Sequence, residues 1–202
     1  MQDQGSNLSH HLFMWKRSVE MLKWLLTNVL HTLNFGVGGD ETQHVLWRLS
    51  NGELAHISPK VVVLWVGTHN HGHTAEQICG GIMAIVQLIK DKLPKAYTLF
   101  FFFLFSTTCD LNHCNGKCLI NHFPVFHLLE RNAQVNKLVK EAVSSLPHAS
   151  LLNVEPGFVH SDCSISQQDL FDYLHLTPQG YQAVCQPLHA HLKGLLEKQA
   201  EN

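Results

Sequence analysis

The run Lys60-Val61-Val62-Val63-Leu64-Trp65-Val66 constrains the fold of this chain more than any other stretch. Its apolar residues, mostly β-branched, leave no polar face to turn towards water. The segment therefore reads as a strand buried on both sides. Such strands belong to parallel sheets covered by helices, because parallel neighbours need long crossover connections. The run ends at Gly67-Thr68-His69-Asn70-His71. Ligands of open parallel sheets sit beyond the carboxyl ends of the strands, so this loop stands where a site is expected.

The flanking pattern agrees with that architecture. A short strand over 32–35 breaks at Gly36-Val37-Gly38-Gly39-Asp40, where glycines permit a sharp turn and bare backbone N–H groups. A helix is predicted over 41–49 and a longer one over 74–93, closed by Pro94. The aromatic-rich run 97–105 reads as another buried strand, followed by a helix over 125–146, a strand over 150–154 and a final helix over 177–198. Strands alternating with helices predict an α/β fold with a parallel sheet of four or five strands. Residues 1–11 read as a loosely attached arm, and the apolar spacing over 12–30 predicts an amphipathic helix.

One pair of side chains has the types and spacing for acid–base work. Asp172 and His175 are three residues apart, so one turn brings them together. The carboxylate can hold one imidazole nitrogen and leave the other free as a base. Thr177 and Pro178 follow as a helix start, which places the pair at an ordered junction. The parallel order brings three loops to one edge: the Gly38–Gly39 turn, the Gly67–Asn70 loop and the Asp172–His175 element.

Composition narrows the classes further. The 202 residues suit one domain, and a formal net charge of −2 gives no general attraction to nucleic acid or to an anionic membrane. The longest apolar run is too short to span a bilayer. The start of the chain does not read as a secretion signal, and the six cysteines form no regular framework, so reduced thiols in the cytoplasm are expected. His113, Cys114, Cys118 and His122 fall in an irregular stretch, 106–125, but their spacing matches no common zinc module. No metal or other cofactor is expected.

The stretches LNFGVGGD (33–40), QHVLWRLSNGEL (43–54), VVLWVGTHNHGHTAEQ (62–77), GGIMAIVQLI (80–89), PGFVHSD (156–162) and FDYLHLTPQGY (171–181) carry a resemblance. Over 31–96 and 127–198 the chain resembles the catalytic alpha subunits of cytosolic type I platelet-activating-factor acetylhydrolase, within the SGNH (GDSL-like) hydrolase family. The resemblance implies a flavodoxin-like three-layer sandwich and a serine esterase that removes the acetyl group of an acetylated ether phospholipid. It implies Asp172 as orienting carboxylate, His175 as general base, Gly39 as a backbone donor of the oxyanion hole, and Leu174 with Thr68 lining the acetyl pocket. The partners it implies are a related catalytic subunit, in a homo- or heterodimer, and a WD-repeat regulatory subunit, the lissencephaly protein.

The chain also departs from that family. The family nucleophile lies in a Gly-Asp-Ser motif at the end of the first strand, and no Gly-Asp-Ser occurs here. The family reads G-T-N-N where this chain has Gly67-Thr68-His69-Asn70, so His69 occupies the position of the oxyanion-hole asparagine. These departures lead to the expectation that the first strand is lost, that residues 1–30 form a divergent arm and helix, and that 31–198 form the hydrolase domain with 106–125 as an irregular insert. Ser106 is then the serine nearest the site by topology. Three outcomes follow: an esterase with a substitute nucleophile, an impaired subunit that still dimerises or binds the regulatory partner, or a chain that lacks a strand needed to fold.

Overall fold

The computed structural model describes residues 12–15, 32–102, 126–154, 158, 166–172 and 175–200. Five strands lie among them: β1 (Leu12–Trp15), β2 (Thr32–Asn34), β3 (Val61–Leu64), β4 (Tyr97–Phe102) and β5 (Ala149–Asn153). They pair in the order β2-β1-β3-β4-β5, and every pairing is parallel. Four α-helices connect or follow them: α1 (Thr42–Arg48), α2 (Ala75–Lys92), α3 (Phe126–Val143) and α4 (Pro178–Ala200).

The apolar run at β3 does what its composition requires. Val61, Val63 and Trp65 face one side, where they meet Val184, Leu188 and Leu192 of α4. Val62, Leu64 and Val66 face the other, against Val45 of α1, Ile78, Ile82 and Ile85 of α2 and Val135 and Val139 of α3. Successive side chains of a strand point to opposite faces, so one continuous apolar run feeds two cores. The result is a three-layer sandwich, and the α/β reading with a parallel sheet is borne out. The predicted helices over 41–49, 74–93, 125–146 and 177–198 and the strands over 32–35, 60–66 and 150–154 are present, with ends that move by up to three residues.

One expectation is corrected. The first strand is not lost: Leu12–Trp15, read as the opening of a helix, is a strand paired with both β2 and β3. Val61 to Leu64 need a partner on each side, and four apolar residues in register with them supply it. Tertiary pairing thus overrides the local helical spacing. The sheet therefore draws on residues from both sides of position 30. The irregular stretch 106–125, including Ser106 and the four His and Cys residues considered for zinc, lies outside the described residues, as does Leu174.

Candidate active site

The site is best built from the start of α4. Thr177 is its N-cap: its Oγ1 accepts from the Gly180 N–H at 3.1 Å, while its hydroxyl donates to the Gln168 carbonyl. The Thr177 N–H donates to the Asp169 carbonyl at 2.8 Å. Gly180 is required here by space, since a Cβ at this position would lie 2.3 Å from the Asp169 carbonyl oxygen. Just before the helix, Leu170 and Leu176 form an antiparallel bridge, and both are buried in the α4-side core. The bridge closes a short hairpin, with Asp172 on its outgoing arm and His175 on its returning arm.

Asp172 grips His175 twice. Its Oδ1 accepts from the His175 backbone N–H at 2.6 Å, and its Oδ2 lies 2.6 Å from the imidazole Nδ1. This pairing calls for the ring proton on Nδ1, which leaves the Nε2 lone pair free to take a proton. The side chains are 42% and 48% exposed respectively, so the pair is open to a ligand. The ring of Phe171 stacks on that of His175, with centroids 5.7 Å apart and planes 19° from parallel.

The loop after β3 arrives from a different layer. Gly67 adopts φ +114°, a backbone state that side chains disfavour, and a Cβ there would stand 3.1 Å from Ile78 Cγ2. His69 brings its ring to 6.0 Å from that of His175, centroid to centroid. The two loops that the sequence places at one sheet edge therefore meet. Thr68 is half-buried in the same loop.

Asn70 anchors the loop and is almost fully buried. Its Oδ1 accepts from the Thr42 N–H at 3.1 Å, and its Nδ2 donates to Thr42 Oγ1 at 3.0 Å and to Gln43 Oε1 at 3.2 Å. Arg131 of α3 holds the loop backbone from below, donating to the Asn70 carbonyl at 2.7 Å and the His71 carbonyl at 3.2 Å. Burial pushes the Arg131 guanidinium below its ordinary pKa.

The glycine turn after β2 is tied to the same loop through Thr42. Gly39 adopts φ +83°. Arg48 fastens the turn by donating to the Phe35 carbonyl at 2.7 Å and by pairing with Asp40, and it also reaches Glu53 at 2.6 Å. Among the described residues, no group of three or more His, Cys, Asp or Glu could hold a metal ion. No helix among them is long and apolar enough to cross a membrane.

The sequence singles out Asp172, His175 and His69, which the structure brings together; it gives Asn70 only as the end of a loop and assigns no role to Arg131 or Phe171. Asn70 was in view beside His69, yet its partner on α1 is visible only in three dimensions. Phe171 precedes Asp172 directly, and its contact with His175 depends on the hairpin.

Comparison with known proteins places the chain in a family. The model of the GDSL-like Lipase/Acylhydrolase family matches residues 5–183. The chain is 49% identical over 194 residues to platelet-activating factor acetylhydrolase IB subunit alpha1 of Homo sapiens, covering 96% of this chain and 74% of that protein. It is 47% identical over 176 residues to subunit alpha2 of the same enzyme from Rattus norvegicus, covering 87% of this chain and 70% of that one. A solved member of the lipolytic protein G-D-S-L family from Veillonella parvula shares the fold at a TM-score of 0.63 with 12% identity, over 87% of this chain and 93% of that one. A five-stranded parallel sheet, an Asp–His pair at the start of the last helix and nearly half of all residues in common with such subunits lead to one assignment: the chain belongs to the GDSL-like lipase/acylhydrolase family, beside the alpha subunits of platelet-activating factor acetylhydrolase IB.

Proposed function

We propose that this chain is an esterase subunit that removes the acetyl group of an acetylated ether phospholipid of the platelet-activating-factor type. The observation that carries this reading is the doubly bonded Asp172–His175 pair facing His69 across two loops. In this reading His175 Nε2 takes the proton of an attacking serine hydroxyl and then returns it to the departing alcohol. Asp172 holds the ring and stabilises the imidazolium that forms. The tetrahedral oxyanion is received by the Gly39 N–H and by a ring N–H of His69. Thr68 and Leu174 line the small pocket for the acetyl methyl group. The 31–198 region carries this site together with β1, with 106–125 as an insert.

The nucleophile is assigned between two serines. With β1 in the sheet, Ser18 stands three residues beyond Trp15 in sequence, at the family's nucleophile position in the chain order. Ser106 follows β4 by four residues. Neither is preceded by Gly-Asp, and that departure supports a second reading: an impaired subunit that acts by assembly. Under both readings we place the chain in the cytoplasm, in a homo- or heterodimer with a related subunit, bound to a WD-repeat regulatory subunit. Names of the relatives as subunits support assembly of this kind.

A fluorophosphonate probe on the purified chain, with Ser18→Ala, Ser106→Ala and His175→Ala alongside, tests the esterase reading. Labelling lost in His175→Ala and in one serine variant is expected. A wild-type chain that takes no label, yet co-purifies with a related subunit, would replace it with the assembly reading.

A further inference from the structure

The Asp172–His175 pair leaves one freedom unaccounted for. A hydrogen bond at Nδ1 fixes a point on the imidazole, but the ring can still swing about that point. Solvent does not prevent this, because nearly half of the His175 side chain is exposed. Holding the ring plane requires a contact on its face.

Phe171 supplies such a contact. Its ring lies 5.7 Å from that of His175 and within 19° of parallel, an offset-stacked arrangement. The two residues stand opposite each other in the hairpin, where the Phe171 N–H donates to the His175 carbonyl at 3.1 Å. The Leu170–Leu176 bridge sets that register. Phe171 is itself 59% exposed, one of three large exposed apolar side chains among the described residues. A phenyl ring left so open contributes little to the core, so packing alone does not account for it.

We propose that Phe171 is a positioning residue for the His175 base, holding the imidazole in the plane where Nδ1 meets Asp172 and Nε2 stays directed at the reacting groups. The role rests on the reading of His175 as general base. It acts through His175 and requires no contact between Phe171 and the acetyl group. His69, whose ring lies 6.0 Å from His175 and 32° from parallel, is the neighbour contributed by the other loop. It cannot substitute for Phe171, because it approaches from a separate element and is not set by the hairpin register.

The test uses the full chain labelled with nitrogen-15 and read by NMR in alkaline buffer, where imidazoles are neutral. The His175 signals are assigned by their loss in His175→Gln. In the wild type the two ring nitrogens are expected to be well separated, one protonated and one not. In Phe171→Ala and Phe171→Leu they converge as the ring leaves Asp172 and samples both tautomers, while Phe171→Tyr keeps the wild-type pattern. Two replacements ensure a folded comparison, checked by backbone amide spectra. Acetyl release is measured in parallel, with kcat expected to fall by about threefold to tenfold in Phe171→Leu at little change in KM.

The outcomes separate the two ideas. Convergence of the nitrogen signals without turnover in any protein would overturn the esterase reading, and with it the ring's task as base, while Phe171 stands as the residue that holds the His175 ring. Wild-type signals in folded Phe171→Ala and Phe171→Leu would overturn the positioning role, whatever the turnover.

Discussion

Asn70 and Thr42 bind each other twice, amide to side chain and side chain to side chain, across 28 positions of sequence. This buried pair joins the loop that carries Thr68 and His69 to the helix that follows the Gly39 turn. The two halves of the proposed oxyanion hole are thereby held at a fixed spacing.

Asn70→Ala should therefore loosen both halves at once. It leaves the Thr42 backbone N–H unsatisfied in the interior, while the hydroxyl keeps Gln43 Oε1 at 3.3 Å, a cost of about 2 kcal/mol. For a chain of this length that lowers Tm by roughly 4–8 °C. Differential scanning calorimetry measures it, and an unchanged Tm would show that water replaces the amide without cost.

Asp172→Asn should fold normally, because the pair is half exposed and lies outside the core. The carboxamide can present its N–H to Nδ1 and so select the wrong tautomer. A drop in kcat of roughly 10⁴ is expected for an acetyl-ester substrate, with His175→Ala at least as severe. Steady-state kinetics on both variants, beside circular dichroism, separates chemistry from folding.

His69→Asn restores the residue that the family carries. A primary amide always carries two N–H donors, whereas a neutral imidazole donates from only one nitrogen at a time. A gain of about tenfold in kcat is expected, within the roughly 10²–10³ that one oxyanion donor contributes. A fall in kcat would mean that His69 does more in this chain than the asparagine it replaces.

Gly180→Ala is expected to be the most damaging single methyl. Its Cβ would stand 2.3 Å from the Asp169 carbonyl and 2.9 Å from Leu176 Cδ2, so the hairpin must move away from α4. A loss of about 2–3 kcal/mol and of esterase activity together is predicted, by analogy with overpacked cores. Chemical denaturation read by tryptophan fluorescence gives the first number.

How far these residues could be foreseen differs from one to the next. The runs at β3 and α2 were legible because their apolar spacing is decided locally and each has only one way to be buried. Asp172 and His175 were legible because three residues separate them. β1 was not, since Leu12–Trp15 is a strand only in the company of β2 and β3. Asn70 and Arg131 were not, since each takes its role from an element remote in sequence. Phe171 offered a signal in its place beside Asp172, but its stacking follows from the Leu170–Leu176 register.

Acid should weaken the fold through His191 of α4. Partial burial, and then the positive charge of Lys198, hold its imidazole below the ordinary pKa, an effect that solvent weakens because the side chain is exposed. The unfolded chain then binds the proton more readily than the folded one, so stability is full above about pH 6.5 and declines as pH falls below it. His191→Gln should lessen the drop in Tm between about pH 7 and pH 5 relative to the wild type. An identical pH dependence in the two proteins would remove His191 from the acid response.

The interior place of β1 has a consequence for the order in which the chain acquires structure. Leu12–Trp15 leaves the ribosome before either strand that flanks it, and neither neighbour in the final sheet exists when it emerges. It must wait, unpaired and apolar, until the segments at 32–34 and 61–64 have been synthesised. During translation this short piece is thus a sticky, two-sided template that a chaperone would need to shield. A product initiated downstream of Trp15 would show the reverse defect, with β3 left holding an open seam where another molecule's strand could insert.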